Sequence, residues 1–194
     1  MGDSVQEKEI QRKVEPIRKL KEIQAVKLVL AGSPRNLALF TIGINTNIKT
    51  GELVQIKTRQ VKALRANGTI TIKDENTGKS REVFMNRVCV ETIRTLIDAE
   101  NLKDEDNLFQ SQRGGALTAT SINRLVKKWC NAVNLSGNYG AHTLRKTWGY
   151  HQYYTFKTDL SSIMAAFNHA TQKQTAEYLD LQLNETDNLF VNTL

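Results

Sequence analysis

Two prolines and two cysteines among 194 residues already exclude several kinds of protein. Cys89 and Cys130 are too few to staple a disulfide scaffold, and each sits in an apolar helical pattern. The simplest reading is a pair of reduced core residues in a cytosolic, cytoplasmic protein. So little proline beside 40% hydrophobic residues excludes a collagenous or low-complexity chain and points to a folded, mostly helical one. No apolar run approaches the ~20 residues that span a bilayer, so no membrane partner is expected. The first residues, MGDSVQEKEIQRKVEP, are charged throughout and lack the apolar core of a signal peptide. Internal repeats are absent, and the length suits one domain with a short appendage. Acids are in deficit: 20 Asp and Glu face 27 Lys and Arg, a formal charge of +7. That surplus favours a polyanionic partner, because each neutralised phosphate releases counterions.

Periodicity organises what is present. EPIRKLKEIQAVKLVL (15–30) carries a helical stripe at Ile17, Leu20, Ile23, Val26 and Leu30, and Pro16 suits its first turn. Gly32, Ser33 and Pro34 end it. RNLALFTIGIN (35–45) is apolar nearly all round and belongs at the centre of the core. Thr50 or Gly51 opens a short third helix carrying Glu52. The period then drops to two: GTITIK (68–73) alternates at Ile70 and Ile72, and REVFMN (81–86) at Val83 and Met85. DENTGKS between them is turn chemistry, which predicts an antiparallel hairpin. Helices return near Asn86, with Val90, Ile93, Leu96 and Ile97, and at SINRLVKKWCNAV (121–133) after a capping region from Thr118 to Ser121. Gly137 and Gly140 open a helix over AHTLRKTWGYHQYY (141–154); shorter ones follow around 159–167 and 171–180, and NETDNLFVNTL is a candidate for the last. The fold class is mainly α with a small antiparallel β-sheet (α+β).

His142 and Arg145 stand three positions apart, on one helical face, where the two can grip a single anion. Singly, each notable residue has a plain reading. His142 caps its own helix, Arg145 pairs with a carboxylate such as Glu52, His169 is a turn residue after Asn168, and Tyr178 is an ordinary helical tyrosine. Together they form a pattern. HTLRKT, the later FNH box ending at His169, and TAEY ending at Tyr178 resemble the C-terminal signature of tyrosine recombinases, the phage-integrase family. LFTIGINTNIKTGELVQIK is similar to that family's LGLxTGLRxSELLxL segment, TITIKDENTGKSREVFMN to its KTGKxRxVPL hairpin, and LFQSQRGGALTATSINRLVKKW to its LFxSxxGxPLsxxxxxRxxK segment. The resemblance runs over residues 14–185 in order.

What the resemblance implies is specific. The fold is the tyrosine-recombinase catalytic domain over 15–182, between a charged extension (1–14) and a tail or helix (183–194). The function is site-specific recombination of double-stranded DNA by strand cleavage and rejoining through a 3′-phosphotyrosyl intermediate, as in an integrase of a mobile element. Tyr178 is then the nucleophile, Arg145 clamps two phosphate oxygens, and His142 is base for the tyrosine and acid in the reverse step. His169 hydrogen-bonds the phosphate, and Glu52 supports the site from behind. No metal or cofactor is implied, since side chains supply every charge and proton. Besides DNA, the implied partner is the protein itself, in a synaptic tetramer. Thr120 and Arg124 are candidates for groove contacts, against a plain reading in which Arg124, Lys127 and Lys128 form a solvated basic face. Leu189, Phe190 and Val191 either anchor in a neighbouring protomer or fold back.

Three departures accompany the resemblance. Lys49 stands where the family's first arginine falls, keeping the charge but losing the planar fork. A lost charge-assisted hydrogen bond costs about 1.5–3 kcal/mol, roughly ten- to hundredfold in rate at the transition state. Asn76 stands where the family's leaving-group lysine falls, and an amide cannot donate that proton. Lys79 or Lys73 then has to substitute, Lys79 being the better placed. The family's separate N-terminal clamping domain has no counterpart in this sequence, as expected of a cut chain or a short branch. The alternative reading is a catalytically impaired DNA-binding regulator or accessory protein that keeps the recombinase fold. A relaxing topoisomerase fits the boxes less well.

Overall fold

The computed structural model describes residues 13–74, 78–112 and 114–182. Asn76 and the tail residues Leu189, Phe190 and Val191 lie outside the described residues. Among those described, the elements run α1 (Leu20–Leu30), α2 (Pro34–Asn45), α3 (Thr50–Leu53), α4 (Thr58–Val61), β1 (Gly68–Lys73), β2 (Ser80–Met85), α5 (Arg87–Glu100), α6 (Ala119–Ala132), α7 (Ala141–Tyr154), α8 (Leu160–Phe167) and α9 (Gln172–Leu179). The architecture is mainly α with one antiparallel hairpin, β1 against β2, as the change of period predicts. Neither the short α4 nor the start of β2 one residue early is visible in the pattern.

Helix α2 is the axis. Ala38, Leu39, Phe40 and Ile42 are wholly buried, and α5 and α7 pack on it. Full burial of one such side chain is worth roughly 1.5–3 kcal/mol, so an all-round apolar helix is stable only in this position. Gly43 allows α7 to close in: a Cβ there would meet Leu144 Cδ1 at 2.7 Å. A smaller cluster of Ile163, Phe167 and Leu179 joins α8 and α9 to Trp148 and Tyr153 of α7 and includes Tyr178. Cys89 and Cys130 are free and buried, and burial pushes both thiols up to about 12. Among the described residues no helix is long and apolar enough to cross a membrane.

The first predicted helix is too long. It begins at Leu20, not at residue 15, and Leu20 is mostly exposed. Residues 13–19 form an extended strap laid along α7. Thr143 Oγ1 donates to the Glu15 carbonyl (2.8 Å), the Ile17 N–H donates to Thr147 Oγ1 (2.9 Å), and His151 Nε2 lies 3.0 Å from the Ile17 carbonyl. Positions 143, 147 and 151 are successive turns of one helix face, so α7 offers a ladder of polar groups to an extended chain. Backbone groups of residues 15 and 17 are satisfied there, which replaces the helical hydrogen bonds they would otherwise need. Ile17 is buried all the same, through the strap.

Candidate active site

The start of α7 is fixed by its neighbours. The Gly140 N–H donates to Thr143 Oγ1 (3.0 Å), and the Ala141 N–H donates to Asn123 Oδ1 of α6 (3.0 Å). Capping thus falls to Thr143 and Asn123, which corrects the plain reading of His142 as a cap. His142, second residue of the helix, is free to face outward. Much of it meets solvent, but the packed part of its ring loses hydration. That burial, with the charges of Arg145 and Lys146 close by, holds its pKa below the usual histidine value.

One turn on, Arg145 is half-buried. Its guanidinium stacks 4.7 Å above the Phe167 ring and one Nη donates to the Phe167 carbonyl (3.3 Å). Its Nε is buried with no hydrogen-bond partner among the described residues, and so is the hydroxyl of Tyr178. Burial pushes that phenol above its ordinary value, and the positive charge of Arg145 pulls against the rise. The guanidinium therefore acts on the phenol through its field rather than through a well-formed hydrogen bond. Lys146, buried and without an ion pair among the described residues, places its ammonium 5.0 Å from the Tyr178 ring centre.

His169 follows Asn168, whose left-handed backbone (φ 56°) closes α8. Its ring stacks on Phe167 and meets the Tyr178 ring edge-on, centroids 5.2 and 5.4 Å apart. Thr175 Oγ1 donates to the Thr171 carbonyl (3.3 Å) and lies 3.0 Å from His169 Nδ1. The hydroxyl has one proton to give, and where it goes to Nδ1 the ring keeps Nε2–H, the tautomer that can donate to a phosphate oxygen. Burial and the Arg145 charge keep His169 below the usual histidine value.

On the opposite wall, Glu52 is buried and paired with Arg81, not with Arg145. Arg81 Nη1 and Nη2 donate to Oε1 (2.6 Å) and Oε2 (2.7 Å), and the Lys49 N–H also donates to Oε2 (2.7 Å). Burial works against the Glu52 carboxylate, yet these hydrogen bonds and the two cations bring its pKa below the usual range. Lys49 itself is exposed, its Nζ 2.5 Å from Asp74 Oδ2.

These residues fall around two cavities. One, of about 570 Å³, is lined by Lys49, Asp74, Lys79, Arg81, Arg145 and His169. The other, of about 420 Å³, is lined by His142, Lys146 and Tyr178, with Lys13 and Val14 of the strap. His142 and Arg145 therefore share a helix face but open onto different cavities, and Tyr178 lines that of His142. Thr120 and Arg124 are exposed on one face of α6 and line neither. Sequence reasoning missed Arg81, Lys146 and the strap. Arg81 carried a signal: it shares strand parity with Val83 and Met85, and a charge on an apolar face needs a buried partner. Among the described residues no cluster of His, Cys, Asp or Glu could hold a metal ion.

The model of the phage integrase family matches residues 18–185. The chain belongs to the phage integrase family. This makes it a tyrosine-type recombinase, the class whose boxes the sequence resembles. It is 28% identical over 177 residues to a probable integrase/recombinase, YoeC, of Bacillus subtilis (strain 168), covering 89% of this chain and 93% of that protein. It is also 28% identical over 161 residues to tyrosine recombinase XerC of Caldanaerobacter subterraneus subsp. tengcongensis, covering 79% of this chain but only 44% of XerC. The fold matches the XerA recombinase with a TM-score of 0.72 at 20% identity, over 91% of this chain and 65% of that one. The XerH recombinase bound to its difH substrate gives the same TM-score at 22% identity, over 93% of this chain and 54% of that one. The chain thus spans nearly all of one relative and about half to two thirds of the others.

Proposed function

We propose that this integrase-family chain, through residues 15–182, cleaves and rejoins double-stranded DNA at a defined site through Tyr178. The observation that carries the reading is the pair of buried, unpartnered polar atoms, Arg145 Nε and the Tyr178 hydroxyl, set beside His169 and a cation-lined cavity. Buried polar groups are almost always paired, so two orphans together mark a place for a missing ligand. A phosphodiester in the larger cavity meets Arg145, His169 and Lys49, which stabilise charge on its non-bridging oxygens.

The phenol oxygen of Tyr178 attacks phosphorus and the bond to the 5′-oxygen breaks, leaving a 3′-phosphotyrosyl ester. His142 accepts the phenolic proton, and Lys79, which lines the same cavity as Arg145, gives one to the departing oxygen. The reverse attack by a 5′-hydroxyl on another strand restores the tyrosine and joins the DNA. Lys49 has to exchange Asp74 for a phosphate oxygen, and Glu52 acts from behind through Arg81 and the Lys49 backbone. Thr120 and Arg124 contact the DNA outside the site. Strand exchange takes place between copies of the protein assembled on DNA as a tetramer in the cytoplasm.

Two labelled duplexes taken from the protein's own locus provide the test. Recombinant products are expected with the unmodified protein and none with Tyr178→Phe. Equal binding by both proteins with no product from either would instead identify a regulator that keeps the fold.

A further inference from the structure

Lys49 cannot make a forked contact, yet the cavity contains a second guanidinium besides that of Arg145. Arg81 stands opposite Ile72 in the hairpin register, on the buried face of the strand pair, and lines the cavity beside Arg145 and His169. Its bidentate bond to Glu52 uses one N–H from each Nη. A guanidinium has five, so Nε–H and one N–H on each Nη are left over. Among the described residues no further hydrogen bond uses them, and the Asp74 carboxylate acts on Arg81 only through its charge. Four cations, Lys49, Lys79, Arg81 and Arg145, face two carboxylates, Glu52 and Asp74, around the cavity. Glu52 is matched by Arg81 and Asp74 by Lys49, and Arg145 adds a guanidinium without a carboxylate partner of its own among the ion pairs of the described residues.

We propose that Arg81 is a catalytic residue of this site, a second forked phosphate ligand that takes the contact Lys49 cannot make. The inference rests on the strand-cleavage reading above. Glu52 then has two tasks: it offsets the repulsion between two neighbouring guanidiniums, and it aims the free edge of Arg81 inward. A purely structural role for the Arg81–Glu52 pair is the competing account, and chemistry at the phosphate separates the two.

The test uses nicked duplexes from the protein's own locus, with either the ordinary phosphodiester or a methylphosphonate at the cleavage position. The methylphosphonate lacks one charged non-bridging oxygen. On the phosphodiester, Arg81→Lys is expected to slow single-turnover cleavage roughly ten- to hundredfold, with DNA affinity unchanged. On the methylphosphonate the difference should shrink to about threefold or less, since the oxygen that needs a fork is gone. An equal loss on both substrates, with the unmodified protein still cutting, would make Arg81 a strut and leave the recombinase reading intact. A readout without chemistry comes from Tyr178→Phe protein, followed through its arginine side-chain nitrogen resonances. Arg81 and Arg145 signals should shift together on adding the phosphodiester duplex, and Arg81 should respond less to the methylphosphonate. An Arg81 signal indifferent to both duplexes would overturn the inference whether or not the strand is cut.

Discussion

A general base for a phenol must be unprotonated, and the surroundings of His142, the proposed base, favour that state. Burial of its packed side and the charges of Arg145 and Lys146 lower its pKa. The neutral form therefore persists to more acidic pH than a free histidine allows, and is lost only as pH falls through the lowered value. The acid limb of the cleavage rate is expected below the ordinary histidine value of about 6.5, measured as single-turnover rate against pH. An acid limb above that value would contradict His142 as base. Lys49 gives a second prediction at this scale. Lys49→Arg offers a fork where Arg81 already supplies one, so it should change the cleavage rate by about threefold or less in the parent and raise it roughly ten- to hundredfold in an Arg81→Lys background. Its release from Asp74 is part of that change, so a Lys49→Arg protein that cuts far more slowly than the parent would show the lysine to be an adapted part of the site.

Among the elements, the junction of α7, α8 and α9 sets the distance from Arg145 to Tyr178. Gly149 is its closest point: a Cβ there would meet Phe167 Cζ at 2.6 Å and Leu179 Cδ2 at 2.8 Å. Alanine in a helix interior gains roughly 1 kcal/mol over glycine, but forcing apart a packed ring and a leucine costs about 1–3 kcal/mol or more. Gly149→Ala should therefore lower Tm and depress cleavage further than it depresses folding, because Phe167 also carries the Arg145 guanidinium. A Tm at or above the parent's would contradict this packing. The hairpin and most helices of this domain were legible because their hydrophobic periods are local properties. The strap was not legible. Ile17, Leu20 and Ile23 imitate a helical stripe, while the groups that hold residues 15 and 17 extended stand more than a hundred positions away on α7. Of the candidate site, His142, Arg145, His169 and Tyr178 were legible as motifs. The Arg81–Glu52 pairing was not, since it links a strand to a helix that no pattern connects.

At the scale of the molecule, the strap ties the front of the chain to Tyr178, the proposed nucleophile. Lys13 and Val14 wall the Tyr178 cavity, and Arg18 donates to Asp180 (3.0 Å) just after α9. The basic surplus acts at the same scale. Specific DNA binding should weaken with salt along a straight line of log affinity against log salt concentration. Arg124→Ala should reduce that slope by about one if it neutralises one phosphate. An unchanged slope would return Arg124 to the solvated face of α6. The central claim concerns a covalent bond, and it is tested most directly by trapping one. Nicked duplex from the protein's own locus, which loses its short 5′-hydroxyl fragment on cleavage, is incubated with the protein, denatured and digested, and the nucleotide-bearing peptide is identified by mass. The account predicts a denaturation-resistant adduct on the peptide containing Tyr178, absent from Tyr178→Phe. An adduct on another residue, or specific binding with no adduct in both the unmodified and the Lys49→Arg protein, would contradict it.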